Sequence, residues 1–233
     1  MSSLSDTRLL EIWESGARRQ PSERALALLA AARPDVDAGS LLDLSIGERD
    51  ASILALRSMV FGDRIPCFVD CPACTERLEF EFDASLFPAP VEPGRALVLE
   101  NGLEFRLPNV RDLAAIAGEA GLEDAARALV RRCCVNPEDV SEWSSLLVDE
   151  VERQFASLEG TGDVRLNLSC VTCGHAWFDS LDVAVCFWEQ LEARAEELLD
   201  DVHALAGAYG WSEADILAMS RARREAYLSR CDP

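Results

Sequence analysis

Lysine is missing from this chain: all 22 basic residues are arginine, set against 42 carboxylates, for a formal net charge of −20. Such a balance excludes a general nucleic-acid binder, which needs a basic footprint to displace counterions. Histidine is nearly missing too, with only His175 and His203, so few side chains are tuned to exchange protons near neutrality. The phosphate-binding G-x-x-x-x-G-K-[ST], the dinucleotide G-x-G-x-x-G, the nucleophile elbow G-x-S-x-G and the zincin H-E-x-x-H do not occur. No apolar run approaches the length of a membrane span. The opening Met1-Ser-Ser-Leu-Ser-Asp6 lacks the charged and apolar regions of a signal peptide. The expectation is a protein folded in a reducing cytoplasm, not an enzyme, with no small-molecule substrate and no membrane partner. A hydrophobic fraction of 49% is that of a chain able to bury a core.

Cysteine, by contrast, is plentiful, with nine residues. Four of them form two C-x-x-C words, Cys71-Pro-Ala-Cys74 and Cys170-Val-Thr-Cys173, the second followed by Gly174-His175. This spacing lets two thiolates in a tight turn grip one tetrahedral ion. Strand-like runs precede both words (Ile65 to Val69 and Val164 to Leu168). Similar words follow, Phe82-Asp83-Ala84-Ser85-Leu86 and Phe178-Asp179-Ser180-Leu181. The pattern predicts two knuckles of one four-cysteine zinc ribbon, with Cys71, Cys74, Cys170 and Cys173 holding one structural Zn2+ per chain and no open position for catalysis. His175 is the alternative fourth ligand. Disulfides compete poorly, given the odd cysteine count and the absence of a secretory signal. A thioredoxin-like pair would open a helix, whereas Pro72 and the alternation of Leu78, Phe80 and Phe82 with Glu79 and Glu81 favour a strand. Cys133 and Cys134 read as buried or half-buried thiols, not ligands.

The predicted class is α+β, mostly helical, in four parts. Residues 1–64 hold N-terminal helices: one stopping at Gly16, one with Pro21 in its first turn and ended by Pro34, and one capped by Ser45 and Glu48 and ended at Gly62. Residues 65–90 and 163–184 are the two halves of the ribbon, the first running into a linker with Pro88, Pro90 and Pro93. Residues 91–162 are an insertion. In it Asn101-Gly102 turns a hairpin between two apolar runs, Asn109 and Asp112 cap a helix, and further helices span about 122–133 and 141–158. Trp143, Leu146, Leu147, Val151 and Phe155 fall on one face of the last of these, and Gly160-Thr-Gly162 breaks the chain again. Residues 185–233 form a helical hairpin. Trp188, Leu191, Ala195, Leu198, Val202, Leu205 and Tyr209 make a heptad-like seam in its first helix, which fits either an antiparallel partner helix or an intermolecular coiled coil. Its second helix starts near Glu213 behind a Trp211/Ser212/Asp215/Ile216 cap and staple. Arg221, Arg223 and Arg224 read as a solvated face.

Several words in this order resemble a known family. They are Phe105-Arg-Leu-Pro108 with Asp112-Leu113, the C-x-x-C-G-H word at 170–175, Phe187-Trp188-x-x-Leu191, His203-x-Leu-Ala, and Tyr209-Gly-Trp-Ser-Glu-Ala-Asp-Ile-Leu217 with Arg223-Arg224-x-x-Tyr227-Leu228. Together they resemble the T-even-type phage baseplate protein family of contractile tails and related injection systems, most clearly over residues 40–85 and 160–230. The resemblance implies a structural or assembly component of a baseplate or hub, with other tail proteins as partners. The protein would be cytoplasmic during assembly and either released or incorporated in the tail particle. It carries over no catalytic residues. Trp188, Tyr209 and Trp211 are the expected anchors for a tail protein, because large aromatics dominate interface energetics. The competing expectation is a cytosolic zinc-ribbon adaptor or regulator of a protein or nucleic-acid partner.

Overall fold

The computed structural model describes residues 5–87, 94, 96–158 and 165–231. The expected linker prolines Pro88, Pro90 and Pro93, the Gly160–Gly162 break and Val164 lie outside them. The described chain is α+β and mostly helical, with three separate two-stranded antiparallel sheets. No helix in it is long and apolar enough to cross a membrane.

The first helices form where their caps sit. Ser5 accepts from the Arg8 N–H to open α1 (Asp6–Gly16), and Pro21 is the first residue of α2 (Pro21–Ala32). A short α3 (Ala38–Leu41), absent from the sequence reading, is capped by Asp37, which accepts from the Gly39 and Ser40 N–H groups. Ser45 and Glu48 form a reciprocal capping box on α4 (Ile46–Phe61), and Gly62, at φ 83°, ends it in a conformation other residues avoid.

The long helix α8 (Val183–Tyr209) is the central member of the body. The seam residues Leu191, Ala195, Leu198 and Leu205 are fully buried. Along most of its length the seam faces no hairpin partner: α1, α2 and α4 cover it, and Leu28, Leu29 and Ile53 complete a common core with Leu191 and Leu198. After Gly210, in the left-handed region at φ 70°, the chain continues as two short helices, α9 (Glu213–Leu217) and α10 (Arg221–Leu228). The expected single helix is broken because Ser220 caps a new one, accepting from the Arg223 N–H. Arg224 is not on a solvated face. It is fully buried and pairs with Asp6 at 2.7 Å and Asp201 at 2.8 Å, tying α10 to α1 and α8.

The insertion has its own core. Its hairpin, β3 (Ala96–Val98) with β4 (Glu104–Arg106), packs Phe105 against Val130 of α6 (Leu122–Cys133) and against Val151 and Phe155 of α7 (Ser145–Leu158). Helix α7 starts later than expected, so Trp143 precedes it, and Leu146 is 79% exposed; the buried stripe is Val148, Val151 and Phe155. Asn109 and Asp112 cap α5 (Val110–Ile116) as expected. The buried Asp112 also holds Arg106 at 2.5 and 2.9 Å and Arg132 at 3.1 Å, joining hairpin, α5 and α6. These hydrogen bonds outweigh desolvation and keep its carboxyl below the usual carboxylate range. The insertion docks on the corner before α4. There Ile46 donates to the Pro108 carbonyl at 3.1 Å, and Arg111 reaches Asp43 at 2.6 Å and the Gly39 carbonyl at 2.8 Å.

Gly16 lies flat against the indole of Trp188, and a Cβ there would fall within 2.6 Å of Trp188 Cζ3. Gly16→Ala should therefore destabilise the fold by about 1–3 kcal/mol through overpacking, measured as a lower urea midpoint at unchanged slope.

Candidate metal centre

Two hairpins with one design carry the four cysteines. In the first, β1 (Arg64–Asp70) pairs with β2 (Arg77–Asp83); in the second, β5 (Arg165–Ser169) pairs with β6 (Ala176–Ser180). At the tip of the first, Cys71 N–H donates to the Glu76 carbonyl at 2.9 Å and Thr75 N–H to the Cys71 carbonyl at 2.9 Å. At the tip of the second, Cys170 N–H donates to the His175 carbonyl at 2.8 Å and Gly174 N–H to the Cys170 carbonyl at 2.9 Å. The registers correspond too, Asp70 opposite Arg77 matching Ser169 opposite Ala176. The same spacing relates Cys71 to Cys170, Cys74 to Cys173 and Asp83 to Asp182. Asp83 accepts from Ser85 N–H to start a single 3-10 turn, while Asp182 accepts from Ala184 and Val185 N–H to start α8. The alignment of Phe82-Asp83 with Phe178-Asp179 expected from the wording is therefore out of register, since the true counterpart of Asp83 is Asp182.

The body holds each hairpin by its base. Arg57, buried in α4, donates to the carbonyls of Gly62 at 2.5 Å and Arg64 at 2.6 Å and to Gln190 Oε1 of α8 at 3.0 Å. The second hairpin runs into α8 through the Asp182 cap. So mounted, the tips meet. Cys71 Sγ lies 3.7 Å from Cys173 Sγ and Cys74 Sγ 3.6 Å from Cys170 Sγ, with all four sulfurs within 4.8 Å of one another. Each short contact joins one hairpin to the other, and exchanging the hairpins exchanges the two contacts. A tetrahedron of thiolates about 2.3 Å from a central ion has sulfur–sulfur edges of about 3.8 Å, while a disulfide would need about 2.05 Å. None of the nine cysteines is disulfide-bonded. The four sulfurs thus form a donor set that could hold a metal ion, closed by its own ligands.

The protonation behaviour points the same way. The N–H groups of Cys173 and then Thr172 hold the Cys170 thiol down to about 7. At Cys74 the Glu76 N–H favours the thiolate, but the sulfur of Cys173, desolvation, and the sulfurs of Cys170 and Cys71 outweigh it and push the thiol up to about 12. Crowding opposes the joint ionisation of the sulfurs, and a cation among them would relieve it.

No family model matches the chain, and no curated protein or solved structure matches it either. The centre must be read from its own geometry.

His175 is not part of the cluster: its ring stacks on Trp177 at 5.8 Å, and its backbone serves the knuckle, the carbonyl accepting from Cys170 N–H and the N–H facing the Cys173 sulfur. Neither C-x-x-C opens a helix, so the thioredoxin-like arrangement is not present. Cys133 is buried and Cys134 half-buried, as expected. The three expected anchors separate. Trp188 is only 3% exposed and belongs to the core against Gly16 and Arg24, so it offers nothing to a partner. Tyr209 and Trp211, about 30 Å further along α8, stack at 4.5 Å at the surface. Tyr227, missed in the sequence, joins them edge-on at 4.8 Å from Trp211; its place in the Arg223–Leu228 word was the available signal.

Thr75 sits at φ 59°, where its counterpart is Gly174 at φ 73°. A Cβ on Gly174 would meet nothing within 4 Å, so Gly174→Ala isolates the backbone term and should cost about 1–2 kcal/mol. Thr75→Gly should move stability the other way by up to about 1 kcal/mol, the gain reduced by unfolded-chain entropy. Thermal unfolding of the two variants checks the opposite signs.

Proposed function

We propose that the four cysteines hold one structural zinc ion, making the two hairpins the halves of a zinc ribbon. The chain then serves as a structural or assembly component of the baseplate or hub of a contractile phage tail or phage-tail-like injection system. The observation that carries the metal reading is the sulfur geometry: edges near the tetrahedral value, donors supplied in exchange-related pairs by two separate hairpins, and no place left for water. A closed thiolate site holds shape. Here it clips the hairpin attached to α4 onto the hairpin that feeds α8.

The tail assignment rests on the resemblance of the Phe105–Leu113, Cys170–His175 and Phe187–Leu228 words. Within those words, the half-buried Arg106 pairs with the buried Asp112, Phe187 and Leu191 lie in the core, and Tyr209, Trp211 and Tyr227 form one aromatic patch. That patch is the proposed contact with a tail protein, aromatic rings being the usual centres of interface energy. The acidic surface favours partners with basic patches.

Metal analysis of the purified chain should give about one zinc per chain. Cys71→Ser should lower that content and the melting temperature together, since metal binding here is folding free energy. Tagged protein from the producing cell should sediment with, or travel in soluble lysate beside, tail proteins. The double variant Tyr209→Ala/Trp211→Ala should lose them at least tenfold while keeping its zinc. If no tail protein accompanies the wild-type chain in either fraction, the tail reading fails and a zinc-ribbon adaptor takes its place.

A further inference from the structure

The two hairpins leave a groove of about 780 Å3 between them, based on the first turns of α8. Its floor follows from strand alternation. Cys67 and Phe80 face in from the first hairpin and Leu166 and Leu168 from the second, and α8 adds Val185 and Cys186. One inward position breaks the pattern. Asp179 stands on β6 directly across from Leu166, half-buried, where its neighbours are apolar. Its carboxylate accepts from the adjacent Ser180 N–H at 2.9 Å and has no ion-pair partner among the described residues. Around it Glu79, Asp182 and Glu189 line the groove, Glu81 is already paired with Arg64, and no arginine lines it among the described residues.

A carboxylate on an apolar strand face, with more acids around it and no ion-pair partner among the described residues, is a poor packing choice and a good receptor for a cation flanked by apolar groups. We infer that this groove binds an extended segment of a partner protein, seating an arginine or lysine on Asp179 and a bulky apolar side chain beside it on the Leu166–Val185 floor. An extended segment fits because the two sheets flanking the groove, β1 with β2 and β5 with β6, have two strands each among the described residues, so their strands are edges able to pair with an added main chain. A second copy of this chain is disfavoured, since it brings the same charge of −20. None of Tyr209, Trp211 and Tyr227 lines the groove, so this surface is separate from the aromatic patch and does not depend on the tail reading.

The test uses the full metal-loaded chain and three synthetic nine-residue peptides: one alternating arginine with leucine, one with glutamate for each arginine, one with serine for each leucine. Binding is read by fluorescence anisotropy, and its place by alkylation of individual cysteines with iodoacetamide. Cys67 and Cys186 report on the floor; their contact holds the Cys67 thiol below its usual range, which aids labelling, and pushes the Cys186 thiol up, so Cys67 is the faster reporter. The arginine–leucine peptide should bind, more weakly as salt rises, and should slow alkylation of Cys67 and Cys186 at least fivefold while leaving Cys231 unchanged. Asp179→Asn should weaken binding at least fivefold, and Val185→Arg, at a position 42% exposed, should abolish it. Neither variant touches a cysteine of the cluster, so both should keep the wild-type metal content measured on the same samples. Equal binding by Asp179→Asn, equal binding of the serine peptide, no protection of the two thiols, or concentration-dependent dimerisation that blocks the groove would each overturn the inference.

Discussion

Two pairs of sulfurs meeting across two hairpins are the contact on which the candidate metal centre, and the groove between the hairpins, depend. The hairpins are small sheets that could not persist alone, since an isolated two-stranded hairpin is marginal in water. Each is anchored at its base, one by Arg57 of α4 and the other by the Asp182 cap of α8. At their tips the cysteines join them. Bringing four thiols to within 4.8 Å is unfavourable for bare sulfur. It becomes favourable when a divalent cation takes the protons' place, and the proposed zinc would supply that charge and the tetrahedral restraint together.

The helical body gives the centre a rigid mount. Leu28, Leu29, Ile53, Leu191 and Leu198 are fully excluded from water, and the packing of Trp188 on Gly16 fixes α1 against α8. Arg224 adds a buried polar contact between chain ends, through Asp6 and Asp201. Such a pair is costly to desolvate and costly to break, so it makes the C-terminal helices dependent on α1. The insertion is mounted elsewhere, on the corner before α4 through Pro108 and Arg111, and the hairpin tips are not what places it. The proposed roles therefore divide by location: the candidate metal centre and the groove at the hairpins, the aromatic patch at the far end of α8.

What the sequence made legible was local chemistry. C-x-x-C spacing, the Ser45/Glu48, Asn109/Asp112 and Ser212/Asp215 caps and the Asn101-Gly102 turn all act within a few residues, and each appears where its pattern stands. Contacts between distant segments were not legible. Arg224 reads as solvated because Asp6 and Asp201 are far away in the chain. The repeated Phe-Asp letters point to Asp179 as the counterpart of Asp83, whereas counting from the cysteines gives Asp182. Trp188 heads the heptad seam, and a seam residue covered by α1 and α2 cannot also be an exposed anchor. Nothing in the sequence groups Cys67, Cys186 and Asp179, because only the meeting of two hairpins and a helix makes them neighbours.

X-ray absorption at the zinc edge on the purified full-length chain addresses the four-cysteine centre most directly. A closed site predicts four sulfur neighbours at about 2.3 Å and no light-atom ligand. Nitrogen or oxygen neighbours in the first coordination shell, or a stably folded chain that carries no metal, would contradict it.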